Sequence, residues 1–254
     1  MISELSILLP ALVAGLLMMI IHVPLGQEVL QRGVIFVDLS LAQLAAMGAV
    51  FASMFGFEFI ETQICALIFA LLGGLFFKYI EQKHKAVSEA VIGCTFVLSA
   101  TLVLLAMSGN PHGDEHINDI LSGQLLFVSW EQILFAGSVF VLATVLVYLR
   151  PNVFLKKHFY LILAIVITTS VQICGVYLVF ASLIFPAVGT YYVSNHSKRR
   201  LLEYLGESMG FISGLLLSFY FDLSAGPAIV WGIAVAMMFI FIAIEIKSSK
   251  MSII

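Results

Sequence analysis

The sequence predicts an all-α membrane protein: a polytopic helical bundle of about 8–9 transmembrane helices, one or two of them short or broken. Three observations predict it. Hydrophobic residues make up 61% of the 254 positions and charged ones only 11%, against about 25% charged in a soluble domain. The apolar runs approach the ~20 residues that cross a hydrocarbon core. Strict apolar–polar alternation of the barrel kind is absent, so crossings whose backbone must be satisfied internally are helices.

The spans read at 5–26, 33–55, 60–80, 90–108, 131–149, 159–175, 177–194, 203–221 and 227–246, and the chain 1–254 reads as a single transmembrane domain. Charge placement fixes their direction. The 12 Lys and Arg fall at Arg32; Lys78, Lys83 and Lys85; Arg150, Lys156 and Lys157; Lys198, Arg199 and Arg200; Lys247 and Lys250. With nine spans every one lies on the same side, which the positive-inside rule makes the cytoplasm. The N-terminus and the connections near 56–61, 109–130 and 222–226 then face outward. This wiring hinges on 159–194, which Gly175 divides into two short pieces with Pro186 inside the second. Two tilted or interrupted helices satisfy the pattern, because such breaks are tolerated where the backbone is buried in protein.

In chain order, no Lys or Arg precedes Arg32, so the first run lacks the basic segment of a cleaved signal peptide and is expected to stay as a helix. It ends in HVPLGQEVLQRG, where His22 is either a packed histidine or a metal ligand. The second run carries Asp38 and Gln43 inside apolar sequence. A carboxylate at bilayer depth costs roughly 2.5–3.5 kcal/mol on insertion scales, so it is expected to face a partner, water or a passing ion. The third run is nearly featureless and leads into the basic loop KYIEQKHKAVSEA.

The outer stretch SGNPHGDEHINDILSGQLL is the most polar in the chain and gathers His112, Asp114, Glu115 and His116. Imidazole with carboxylate suits zinc, manganese or ferrous iron. In a helix, His112 and His116 would stand one turn apart on one face. Further on, Gly206, Gly210 and Gly214 recur every four residues, a spacing that lets another helix approach closely. Cys65, Cys94 and Cys174 sit singly inside apolar spans and read as packing residues. GxxxxGK[ST] is absent, so the chain supplies no P-loop of its own.

Taken in order, RGVIFVDLSLAQLAAMGAVFA, SEAVIGCTFVLSAT, GVYLVFASLIFPAVGT and GLLLSFYFDLSAGPAIV resemble the permease family of ABC importers for zinc, manganese or iron. The resemblance implies a non-enzymatic, multi-pass subunit of the bacterial cytoplasmic membrane that works as a homodimer. It implies a cytoplasmic ATPase that drives alternating access and an extracytoplasmic metal-binding protein that delivers the substrate. It implies no permanently bound cofactor and no nucleic-acid partner. The divalent metal is the cargo, with zinc expected ahead of manganese or iron. Asp38, Gln43, His22, His112, Asp114, Glu115 and His116 are the expected metal-contacting residues.

Two departures from the family pattern stand out. The family's Asp-x-x-x-His followed by Pro-Gly is replaced by Gln43 at the histidine position, with Asp38 one residue early and Met47 for the proline. The cytoplasmic link Arg150–His158 is short and basic where the family has a longer loop that docks on the ATPase. Either this link or Lys78–Glu89 is expected to make that contact. The shortened link leaves room for one other class, an ATPase-independent metal channel or secondary carrier. A carrier is expected to bear inverted repeats and more mid-membrane charge than this chain has.

Overall fold

The computed structural model describes residues 2–108, 121, 123 and 125–251. Eight α-helices lie among them: α1 Ile2–Arg32, α2 Val37–Met54, α3 Phe59–Lys83, α4 Ser88–Met107, α5 Trp130–Leu149, α6 Phe159–Gly189, α7 His196–Phe221 and α8 Ala225–Met251. Each expected span is found as a helix, with 159–175 and 177–194 joined into α6. Local signals set the ends. Glu58 and Glu61 form a capping box at the start of α3, and Ser129 with Gln132 does the same for α5, each satisfying two backbone donors that the first turn leaves free. Asn195 caps α7 by accepting from the Lys198 N–H at 3.0 Å.

Helix α6 is the core of the bundle. In its most apolar stretch 78% of residues are buried, against 17% in α8, and it packs on α1, α2, α3, α5, α7 and α8. It is not one rod. Gly175 has φ 75° and ψ 164°, a region open essentially only to glycine. Ser170 and Ser182 lie on either side of it, and both hydroxyls reach the His22 ring, at 3.0 and 3.1 Å. In an unbroken helix they would stand roughly 18 Å apart along the axis. The chain therefore folds back at Gly175 into two legs, Phe159 to Cys174 and Val176 to Gly189.

The ends of the legs agree with that reversal. Phe159 lies under the Arg32 guanidinium, 4.6 Å from its ring centroid, while Thr190 and Gln27 both hydrogen-bond Glu203. Arg32 and Gln27 share the last turns of α1, so both legs end on the cytoplasmic side. At the other end a Cβ on Gly123 would collide with the Cys174 carbonyl, which sets the apex against the outer connection. The two legs therefore run back alongside each other, the arrangement that the nine-span reading requires of 159–194.

The legs are only about 24 and 21 Å long at 1.5 Å per residue, short of the ~30 Å hydrocarbon core. Burial by other helices makes that length tolerable, since only lipid-exposed irregular backbone is forbidden. The glycine stripe of α7 meets α8. A Cβ on Gly210 would lie 2.5 Å from the Ile233 Cα, and one on Gly214 would strike the Ile229 backbone. At the cytoplasmic end of α1 the Arg32 side chain ties four elements. It bonds Glu28 at 2.7 Å, Glu81 at 2.8 Å and the Leu155 carbonyl at 2.8 Å, besides covering Phe159.

The reversal has a direct test. Lys157→Cys and Tyr192→Cys, each in a chain whose native cysteines are replaced by alanine, should both react with an impermeant maleimide only from the cytoplasmic side. A single crossing by α6 would put them on opposite sides. Gly175→Ala should cost about 1–3 kcal/mol of stability, read as a lower melting temperature of the purified chain. Gly93→Ala, with open space around the added methyl, should not.

Candidate functional site

Helix α2 starts where the link from Arg32 turns upward, and its first turn carries Asp38. The carboxylate is 1% exposed and neither oxygen has a hydrogen-bond partner. Expected well inside the apolar run, Asp38 lies instead in the first turn of its helix. The first-turn N–H groups and the positive end of the helix dipole favour a negative charge there. Beside it, Glu89 in the first turn of α4 accepts from the Phe36 N–H at 3.2 Å and leaves its second oxygen unpartnered. Ser40 donates to the Ile92 carbonyl at 2.7 Å, which fixes α2 on α4.

Leu39, Gln43 and Ala46 face the other way. They form one wall of a half-open cavity of about 630 Å³, lined further by Phe96 and Val103 of α4, Val176, Tyr177, Phe180 and Phe185 of the second α6 leg, and Trp231 of α8. Among the described residues that line it, Gln43 is the one amide and none is a carboxylate or an imidazole. Five residues turn a helix by about 140° from Asp38 to Gln43, so the two do not share a face. The position that would share Gln43's face is 39, where this chain has leucine.

His22 stands apart from the cavity. It is fully buried, with Nδ1 on the Ser182 hydroxyl and Nε2 on the Ser170 hydroxyl. Both ring nitrogens are thus occupied. Ser182 donates in turn to Glu207, and Glu203, one helical turn nearer the cytoplasm, bonds Thr190 at 2.7 Å, Gln27, and Arg199 at 3.2 Å. Both glutamates are 0% exposed. Reading the α7 sequence for its glycines missed them. The signal was present, since Glu203, Glu207, Gly210 and Gly214 follow i, i+4, i+7, i+11 and share one buried stripe.

Of the expected ligands, then, Asp38, Gln43 and His22 occupy three separate environments. His112, Asp114, Glu115 and His116 lie outside the described residues. Among the described residues no three His, Cys, Asp or Glu side chains gather in a way that would hold a metal ion. On the cytoplasmic side, the basic link 150–158 forms a π-helical turn, Asn152–Lys157, whose Leu155 and Lys156 carbonyls accept from Arg32. The turn between α6 and α7 instead exposes Tyr191 and Tyr192, 58% and 63% accessible.

A lipid-embedded bundle with a buried re-folded helix and an apolar cavity beside it has the form of a membrane transport subunit. The ABC 3 transport family model matches residues 4–159 and 150–245, and the chain belongs to that family. It is 25% identical to the "Manganese transport system membrane protein MntC" of Halalkalibacterium halodurans, over 89% of this chain and 83% of that protein. It is 22% identical to the "High-affinity zinc uptake system membrane protein ZnuB" of Haemophilus influenzae, over 89% and 93%. Its fold matches the structure "PsaBC from Streptococcus pneumoniae in complex with Fab" with a TM-score of 0.72, 21% identity and 94% of each chain covered. The chain is a multi-pass membrane permease subunit of an ABC metal importer, and ATP hydrolysis belongs to a separate ATPase. Relatives carry manganese, zinc and iron in their names, and those named for manganese are the more similar.

Proposed function

We propose that this permease imports a divalent transition metal, manganese ahead of zinc, through the cavity walled by Gln43. The cavity carries the reading. Its described lining offers only neutral oxygen donors, the Gln43 amide and the Tyr177 hydroxyl, among apolar walls, which suits a site that a transported ion must leave as readily as it enters. Oxygen donors also suit manganese better than the imidazole and thiolate sets preferred by zinc, and that moves the expectation of zinc first to manganese first. In a homodimer closed across this face, a second copy brings a second Gln43. Metal handed over by an extracytoplasmic binding protein would meet the His112, Asp114, Glu115 and His116 loop first, then Gln43, and leave past Asp38 and Glu89 at the cytoplasmic ends of α2 and α4. His22, with both nitrogens engaged, is left out of the path.

The ATPase contact in this reading is the Tyr191–Tyr192 turn rather than either segment expected from the sequence. It exposes two adjacent aromatic rings, and it continues directly from the α6 leg that walls the cavity. The link 150–158, its carbonyls taken by Arg32, is the stiffer surface.

Gln43→Ala should lower ATP-dependent manganese uptake about two- to tenfold, the equivalent of one net polar contact of 0.5–1.5 kcal/mol. Gln43→His should raise the zinc-to-manganese uptake ratio. Uptake of both metals unchanged in both variants, at equal amounts in the membrane, takes Gln43 off the path. Tyr192→Cys should crosslink to the ATPase subunit in membranes and Lys157→Cys should not; the reverse pattern assigns the contact to the basic link.

A further inference from the structure

The His22 cluster is buried, ionisable and unused by the transport path, and its hydrogen bonds can be counted. Ser170 donates its one proton to the Val166 carbonyl at 2.8 Å, so His22 Nε2 must carry a hydrogen to bond the Ser170 oxygen. Ser182 has one proton as well. If it goes to Glu207, then Nδ1 must also carry a hydrogen, and His22 is an imidazolium facing a carboxylate. If Glu207 is instead a carboxylic acid donating to Ser182, the serine turns its own proton to Nδ1 and His22 is neutral. The two arrangements differ by one concerted shift. The Glu207 O–H bond breaks as a new Ser182 O–H forms, and the old Ser182 O–H breaks as Nδ1–H forms. Both hold the same number of protons and both are electrically neutral as a group, which a site in a low-dielectric interior favours over a lone carboxylate.

We propose that His22, Ser182 and Glu207 form a proton-binding site that holds one mobile proton between imidazole and carboxyl and passes it through the serine hydroxyl. The groups around it leave that proton unmatched by any other cation. On α7, Arg199 is taken by Glu203, and Tyr204 gives its hydroxyl to the Ile20 carbonyl at 3.1 Å. Tyr148 of α5 lies against Tyr204, and α5 turns the Phe140 ring edge toward His22 at 6.5 Å. From α1 comes the neutral Gln27, bonded to Glu203. From α6 come the hydroxyls of Ser170, Ser182 and Thr190, and α8 has no titratable side chain before Glu245. Glu203, one turn below Glu207 and next to the partly accessible Arg199, is the step by which the proton reaches cytoplasmic water. Because Ser170 and Ser182 stand on opposite legs of α6, spreading the legs or sliding α1 removes a ring nitrogen from its partner. Occupancy by the proton and closure of the hairpin therefore bias one another.

The test is spectroscopic, on the full-length chain in lipid at neutral pH. Infrared difference spectra between wild type and Glu207→Gln read the protonated carboxyl. Nitrogen NMR of histidine-labelled protein reads the ring, with His22 assigned by its loss in His22→Asn. Expected is either a protonated-acid band that Glu207→Gln removes, with Nε2–H alone on His22, or no such band and both ring nitrogens protonated. A neutral His22 ring with no acid band lost overturns the proposal. The His22→Asn chain is an independent arm, needed if Glu207→Gln does not fold. With no imidazole to share, the proton must rest on Glu207 and the acid band must be at full strength; its absence in folded protein also overturns the proposal.

Discussion

Two helical legs shorter than a hydrocarbon core is thick survive in this protein because other helices cover them. That constraint organises the rest. Once the chain reverses at Gly175, Cys174 to Val176 presents backbone without a regular helical ladder, and hydrocarbon would leave those groups unsatisfied at several kcal/mol each. Covering the legs takes α1, α2, α3, α5, α7 and α8, while α3, α4, α5 and α8 show their outer faces to lipid. The same covering brings polar side chains of α1 and α7 against the serines of α6, where each finds a partner that lipid could not provide.

The spans were legible in the sequence because they depend on a quantity summed over many residues, hydropathy over a window. Gly175 was legible as a break. Its consequence was not, since a kink and a full reversal have the same one-letter sequence. What decides between them is the meeting of Ser170, Ser182 and His22 across up to 160 residues of chain. The α7 glycine stripe was readable from its spacing, and the close approach of α8 bears it out. Glu203 and Glu207 were passed over when α7 was read for its glycines alone, although their spacing puts them on the glycine side.

The polar residues of α2 show how a single register step changes a role. Asp38 and Gln43 read as one polar track through the membrane when considered as composition. On the helix they point about 140° apart. Gln43 takes the cavity wall, and Asp38 lies in the first turn, where the positive end of the helix favours a negative charge although neither oxygen has a hydrogen-bond partner. With leucine at position 39, the described part of the cavity wall carries an amide and no carboxylate.

The second α6 leg joins these features mechanically. Its side toward α2 and α4 walls the cavity with Val176, Phe180 and Ala181, and Ser182 on another side enters the His22–Glu207 cluster. Its cytoplasmic end runs into Thr190, held by Glu203, and then into the exposed tyrosine turn. A packed helix moves as a unit rather than by continuous deformation, because interiors are as dense as crystals. A push at the turn that tilts the leg must therefore change the cavity wall and the serine–histidine contact in the same motion. The glycine at its apex supplies the joint.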